Sequence, residues 1–281
     1  MNGLEHTAQR SAATRPAAEQ HAPAEPRLAS PALRTWRRLR LAAHVLQGAA
    51  TLLTIYPFCS KTSQLALRKR WSQRLLAILG LRLQLNGVPI APGAMLVANH
   101  ISWVDIFVIN AVAPSAFVSK AEVRNWPLIG WLAARNDTIF LRRGSRGHAR
   151  IINAEIATLL DAGRNVAIFP EGTTTDGRHV LHFHAALLQP AIACGHAVQP
   201  VALSYHTADG LYSRAPAYDG DLTLGQCLAN ILAERTLVAR VTTAPPIETQ
   251  NGLDRRSVAQ QARESILRSI GCADSVDQPG T

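Results

Sequence analysis

Two short strings in this 281-residue chain hold residue types that could do chemistry. The first is Asn99-His100-Ile101-Ser102-Trp103-Val104-Asp105 and the second is Phe169-Pro170-Glu171-Gly172-Thr173. An imidazole with a carboxylate five residues on supplies a base and a group to orient it, the minimum for deprotonating an alcohol. Asp105 would accept from one ring N–H of His100, fix the tautomer and stabilise the imidazolium that forms. On one regular helix, residues five apart lie about 140° apart and do not meet. They can meet if His100 lies in a turn and Asp105 in the first helical turn after it. Ser102-x-x-Asp105 matches a capping box, which supports that arrangement. The plainer meaning of the same match is that Asp105 caps a helix and His100 is a turn residue. An acyl group arriving as a thioester needs no enzyme nucleophile. The chain also lacks a G-x-S-x-G elbow: Ser145 comes nearest, with Arg143 where the first glycine should stand, which argues against a serine hydrolase.

Both strings follow short apolar runs. Met95–Ala98, Ala116–Ser119, Thr138–Leu141, Val166–Phe169, Val198–Leu203 and Leu237–Val241 read as strands. Trp103–Val112, His148–Leu160 and Ala185–Ala193 read as helices between them. The alternation predicts an α/β fold, a mixed sheet flanked by helices, and such sheets bind ligands off their strand ends. Ahead of it, Ala32–Cys59 and Lys61–Leu79 read as two helices separated near Pro57.

Charge sharpens the reading of that leading part. The chain is 47% hydrophobic, 17% charged and carries a net charge of +10. No acidic residue lies between Glu25 and Asp105, whereas Arg27, Arg34, Arg37, Arg38, Arg40, Lys61, Arg68, Lys69, Arg70, Arg74 and Arg82 do. Leu41–Ser60 is free of charge. Bases flanking apolar, helix-length runs predict an N-terminal membrane-associating helical hairpin. A span needs roughly 20 apolar residues, and His44, Gln47, Gly48 and Pro57 weaken one here, so a helix lying in one leaflet fits better. No nucleic-acid motif accompanies the bases, and no nucleic-acid partner is expected. The expected organisation is a disordered tail over 1–30, anchoring helices over 31–82, an α/β domain over 83–272 and a flexible tail over 273–281. The four cysteines are scattered without CxxC spacing, which fits a thiol-reducing compartment.

The ordered blocks resemble the glycerolipid acyltransferases, especially the bacterial 1-acylglycerol-3-phosphate acyltransferases. N-H-x4-D is matched by Asn99, His100 and Asp105. A Phe-x-x-Arg-like block is matched by Phe140-Leu141-Arg142-Arg143, F-P-E-G-T by Phe169 to Thr173, and a Val-x-Pro-Val-like strand by Val198 to Val201. The resemblance spans roughly residues 35–245. It implies that His100 is the general base and Asp105 its partner. Arg143 is implied to bind the acceptor phosphate, with Arg142, Asn99, Glu171, Gly172, Thr173 and Thr174 as further substrate-site residues. Neighbours on a strand face opposite ways, so only one of Arg142 and Arg143 is expected to enter the site. No cofactor is implied. Acyl carrier protein or coenzyme A would bring the acyl thioester, membrane lipids would be partners, and the place of work would be the cytoplasmic face of a bacterial inner membrane.

Two departures bear on the acceptor. The family often continues F-P-E-G-T with Arg and Ser, where this chain has Thr174 and Thr175. A later Phe-Lys is replaced by Phe183-His184. Family frequency keeps lysophosphatidate first, giving phosphatidic acid. The lost cations raise a lyso-ornithine lipid as rival. A membrane-docked lipid-binding protein without chemistry is the alternative from another class. His179, His182 and His184 invite a metal, but no carboxylate or cysteine is spaced to complete a site, and none is expected. Trp126–Trp131 fits core packing, an acyl-chain tunnel or a membrane-facing helix.

Overall fold

The computed structural model describes residues 28–125, 129–141, 146–250 and 252–271. The tail expected over 273–281 lies outside them, as do residues 1–27 of the other tail, Trp126–Leu128, and both Arg142 and Arg143. The chain opens with helices α1 (Pro31–Thr54) and α2 (Lys61–Leu79), followed by β1 (Leu81–Gly87), β2 (Met95–Ala98) and α3 (Asp105–Val112). Then come β3 (Ser115–Lys120), α4 (Ile129–Arg135), β4 (Ile139–Leu141), α5 (Arg146–Asp161) and β5 (Asn165–Ile168). The last part holds α6 (Gln189–Ala193), β6 (Val198–Thr207), α7 (Leu224–Ala233), β7 (Leu237–Thr243) and α8 (Arg255–Ile270).

The seven strands form one mixed sheet in the order β1-β7-β6-β2-β5-β3-β4, parallel except where β6 meets β7. Successive side chains on a strand face opposite ways, so β2 feeds two cores. Leu96 and Ala98 join Leu76 and Leu79 of α2, Val108 and Ile109 of α3 and Ile231 of α7 on one face. Met95 and Val97 join Ile152 and Ile156 of α5 and Val258, Ala262 and Ile266 of α8 on the other. With helices on both faces, the central strands are apolar throughout rather than alternating. That is why Met95–Ala98 reads as a strand without a period.

β1, α4, α7 and α8 are additional to the elements expected from the sequence. β1 is an edge strand whose Arg82, Gln84 and Asn86 face solvent, which dilutes its apolar signal. The helix expected from Trp103 begins at Asp105. The one expected over Ala185–Ala193 starts with a 3-10 turn over Ala185–Leu188.

α1 packs on α2 through a polar seam. The His44 and Trp71 rings stack at 4.6 Å and 13°, and Trp71 Nε1 donates to the His44 carbonyl at 3.3 Å. Gly48 permits this: a Cβ there would stand 2.5 Å from Trp71 Nε1. Arg37 fastens α1 to the sheet domain by donating to the Glu234 and Arg235 carbonyls, each at 2.7 Å. The outer face of α1 keeps Trp36, Leu39, Leu46 and Leu53 exposed, continued by Ile55 and Phe58. Among the described residues no helix is long and apolar enough to cross a membrane.

On the far side of α2, Asp137 ties three elements together. Its carboxylate accepts from Arg68 Nη2 at 2.7 Å, Arg164 Nη2 at 2.6 Å and Lys61 Nζ at 3.2 Å. Asp137 holds a left-handed φ of 58°, which Asp tolerates better than most side chains. Although burial opposes ionisation most strongly, the Arg164 and Arg68 hydrogen bonds outweigh it and bring this carboxyl down to about 2.

Candidate active site

β2 and β5 are parallel neighbours, so both end at the same rim of the sheet. The turn after β2 carries His100, and the loop after β5 carries Glu171. The rim is therefore where the two informative strings meet.

The turn is pinned from below. Asn99 is fully buried, and its amide donates to the Leu203 carbonyl at 3.0 Å while accepting from Leu203 N at 2.8 Å. Asn99, expected in the acceptor site, thus has both its amide oxygen and its amide nitrogen engaged by β6. A side-chain amide paired both ways with β6 mimics one more rung of the sheet and holds the start of the turn.

Asp105, the first residue of α3, is also fully buried. Its Oδ2 accepts from Ile101 N at 2.7 Å, Ser102 N at 2.8 Å and His100 Nδ1 at 2.8 Å. The capping bonds and the contact with His100 therefore fall on one and the same oxygen. Ser102 contributes differently from a full capping box, since its hydroxyl meets Val104 N at 3.3 Å. Asp105 Oδ1 accepts at 2.5 Å from the phenol of Tyr205, 100 positions away in the sequence.

His100 is fixed on three sides. Its ring stacks on Phe169 at 4.0 Å and 12°, and Phe169 stacks on Phe117 at 6.1 Å. Its backbone N–H donates to Glu171 Oε1 at 2.8 Å, and its carbonyl accepts from Thr175 N at 2.9 Å. An ionised carboxylate only accepts, which puts the shared proton on His100 Nδ1, and in the neutral imidazole Nε2 then carries the lone pair. The side chain is 19% exposed, and no described residue hydrogen bonds to Nε2. That is the form in which an imidazole removes a proton.

Glu171 joins the two strings. Its second oxygen accepts from Leu181 N at 2.8 Å, so both oxygens serve backbone N–H groups from separate segments. Burial is the main cause that raises its carboxyl to about 7, against the pull of those two N–H donors. Arg263 of α8 steadies the same loop from behind, donating from Nη2 to the Val180 carbonyl at 2.8 Å. Gly172 turns the chain with a φ of 70°, a left-handed value suited to glycine. Thr173 is exposed, while the Thr174 hydroxyl donates to the Tyr218 carbonyl. Phe183 is buried and His184 exposed. His179 pairs with Asp176 at 3.2 Å, and among the described residues no group of three His, Cys, Asp or Glu is placed to hold a metal.

The Acyltransferase family model matches residues 83–204, which include both strings. Over 204 residues the chain is 42% identical to a lyso-ornithine lipid O-acyltransferase of Pseudomonas aeruginosa, covering 73% of this chain and 78% of that one. It is 37% identical over 185 residues to a 1-acyl-sn-glycerol-3-phosphate acyltransferase of Neisseria meningitidis, covering 66% and 71%. The crystal structure of the 1-acyl-sn-glycerophosphate acyltransferase PlsC of Thermotoga maritima has the same fold. Its TM-score is 0.61 at 20% identity, covering 85% of this chain and 96% of that one.

Proposed function

The chain belongs to the acyltransferase family, and on that premise we propose that it moves a fatty acyl group from an acyl thioester to the free hydroxyl of a lyso-ornithine lipid. His100 Nε2 takes the proton of the acceptor hydroxyl as its oxygen attacks the thioester carbonyl. The tetrahedral intermediate then collapses, the C–S bond breaks, and the leaving thiolate takes the proton back from the imidazolium. Asp105 holds the tautomer and stabilises the transient positive charge. The donor is acyl carrier protein or coenzyme A thioester, and the protein supplies no nucleophile of its own. The observation that carries this reading is the 2.8 Å contact of His100 Nδ1 with a fully buried Asp105, made by a ring whose other nitrogen has no partner among the described residues.

The head group is argued from the rim. A phosphate monoester carries up to two negative charges and is held best by cations with fork-like donors. Where the family often has Arg and Lys, this chain has a threonine hydroxyl turned to a carbonyl and an exposed imidazole. A zwitterionic head group loses less by that exchange. The identity to the Pseudomonas enzyme supports the same choice. Lysophosphatidate is the second reading, favoured by the Arg142–Arg143 block and the Neisseria relative.

The acceptor is a membrane lipid, and α1 has the surface to meet it. Trp36, Leu39, Leu46 and Leu53 form one exposed apolar stripe, bordered by exposed Arg38 and Arg40. Apolar side chains in the acyl boundary with bases at the head groups dock a helix in the plane of an anionic leaflet. On this reading residues 31–82 anchor the enzyme to the cytoplasmic face of a bacterial inner membrane, and 83–272 do the chemistry.

Purified enzyme on vesicles, given an acyl thioester and equimolar lyso-ornithine lipid and lysophosphatidate, tests both levels. The expected result is a kcat/KM at least about ten-fold higher for the lyso-ornithine lipid, about 1.4 kcal/mol of discrimination. The reverse ranking replaces the head-group reading by the second one. Binding of both lipids with transfer to neither means a lipid-binding protein.

A further inference from the structure

Tyr205 lies deep in the core, yet its hydroxyl reaches the site. β6 has ten residues against four in β2, so it runs on past the end of β2 and backs the turn above it. The register sets Ala98 against Val201. Val201, Leu203 and Tyr205 then share one face by strand alternation, and all three belong to the core on the α2–α3 side. Leu203 pins Asn99, and two residues on Tyr205 meets Asp105 Oδ1 at 2.5 Å.

We propose that Tyr205 is a positioning residue of the acyl-transfer site, occupying Asp105 Oδ1 so that the carboxylate shows only Oδ2 to His100. The inference rests on His100 being the base. A carboxylate has about four lone-pair sites, and Asp105 receives four donors: three on Oδ2 and the phenol on Oδ1. Without the phenol, a fully buried anionic oxygen loses its partner. The carboxylate then keeps only its Oδ2 donors, its tilt is less fixed, and the imidazole loses its single orientation. A phenylalanine would fill the space equally well, so the hydroxyl and not the ring is what the site uses. The phenol acts as a donor only, because burial first and the Asp105 charge second hold its ionisation well above the ordinary 10.

The same contact tempers the base. A donor on Oδ1 draws charge from the carboxylate, so the imidazolium is stabilised less than beside a bare Asp105. Other titratable groups face this cluster. Glu171 comes from the loop after β5, with Arg263 of α8 acting on it. Cys227 comes from α7, its thiol raised by burial.

The test is Tyr205→Phe in the full chain on vesicles. Expected are a kcat about ten-fold lower, as for loss of an outer partner of a reacting group, and an acceptor KM within about two-fold. The acid limb of the kcat/KM profile moves to higher pH, by the same amount with and without Glu171→Gln, which removes the titration of Glu171 from that range. Asp105→Asn/Tyr205→Phe is no slower than Asp105→Asn alone, because the phenol acts through the carboxylate. Replacing Tyr205 by 3-fluorotyrosine keeps the shape, strengthens the donor and moves the acid limb the opposite way, a readout independent of how well the phenylalanine variant folds. An unchanged acid limb in both variants, or a double variant slower by the product of the single effects, overturns the proposal. If His100→Ala keeps activity, the base reading fails instead.

Discussion

Two regions of the molecule hold their carboxylates in opposite ways. At the sheet rim, Asp105 is met by two backbone N–H groups, a phenol and one imidazole, and Glu171 by two backbone N–H groups. Between α2 and the sheet, Asp137 is met by two guanidinium groups and an ammonium. Three fixed cations neutralise Asp137 and give a brace between helices and strands. Backbone N–H groups and a phenol orient Asp105 without neutralising it, so its charge stays available to the imidazole of His100. A carboxylate surrounded by dipoles fits chemistry, and one surrounded by cations fits architecture.

The contrast can be broken by mutation. Among the carboxylates Asp105→Asn should cost the most, about 10³-fold in kcat, because the amide presents the wrong partner to Nδ1. Turnover kinetics of the folded variant check this. Glu171→Gln should cost about 10- to 100-fold, since an amide NH₂ then faces one of two backbone N–H donors. It should also change the pH dependence of stability. The Glu171 carboxyl is raised from 4.5 to about 7, so the folded state retains its proton while the unfolded state has lost it, and stability falls as pH rises through that window. Denaturation midpoints between pH 4.5 and 7 should fall less steeply in the variant.

Asp137→Asn should leave kcat within about three-fold and lower stability by about 2–3 kcal/mol, since it strands the buried Arg68. Calorimetry would read this as a Tm lower by roughly 5–10 °C. Its linkage has the opposite sign: with a folded value of about 2 against 3.8, the contribution is complete above 3.8 and disappears as pH falls through 2. The smallest effect on chemistry belongs to α1. Leu39→Ser with Leu46→Ser should weaken vesicle binding by about ten-fold in a flotation assay, with turnover of a water-soluble short-chain acceptor unchanged.

The residues show why some of this was legible from sequence. Met95–Ala98 and Lys61–Leu79 agree with the structure to the residue, because a twice-covered strand is uniformly apolar and a helix with Ser60 as N-cap and Gly80 after its end is well marked. α8 was not legible, because small Ala259 and Ala262 separate Val258 from Ile266 and Leu267 in a helix otherwise rich in polar residues, which leaves little hydrophobic contrast. α7 is marked at its start by a capping box of Thr223 and Gln226. At the site, His100 and Asp105 were legible because they lie five apart. The Glu171 link to His100 and the Tyr205 link to Asp105 join positions 71 and 100 apart, and only the strand order brings them together.

The most direct measurement of the central claim is acyl transfer by His100→Ala on vesicles, alongside its thermal unfolding. The His100 N–H bond to Glu171 and the Thr175 bond to its carbonyl are backbone contacts that survive the substitution, so the Tm should shift by no more than a few degrees. The account predicts a kcat at least about 10³-fold lower with this fold intact. A folded His100→Ala enzyme turning over within ten-fold of the natural one would contradict it.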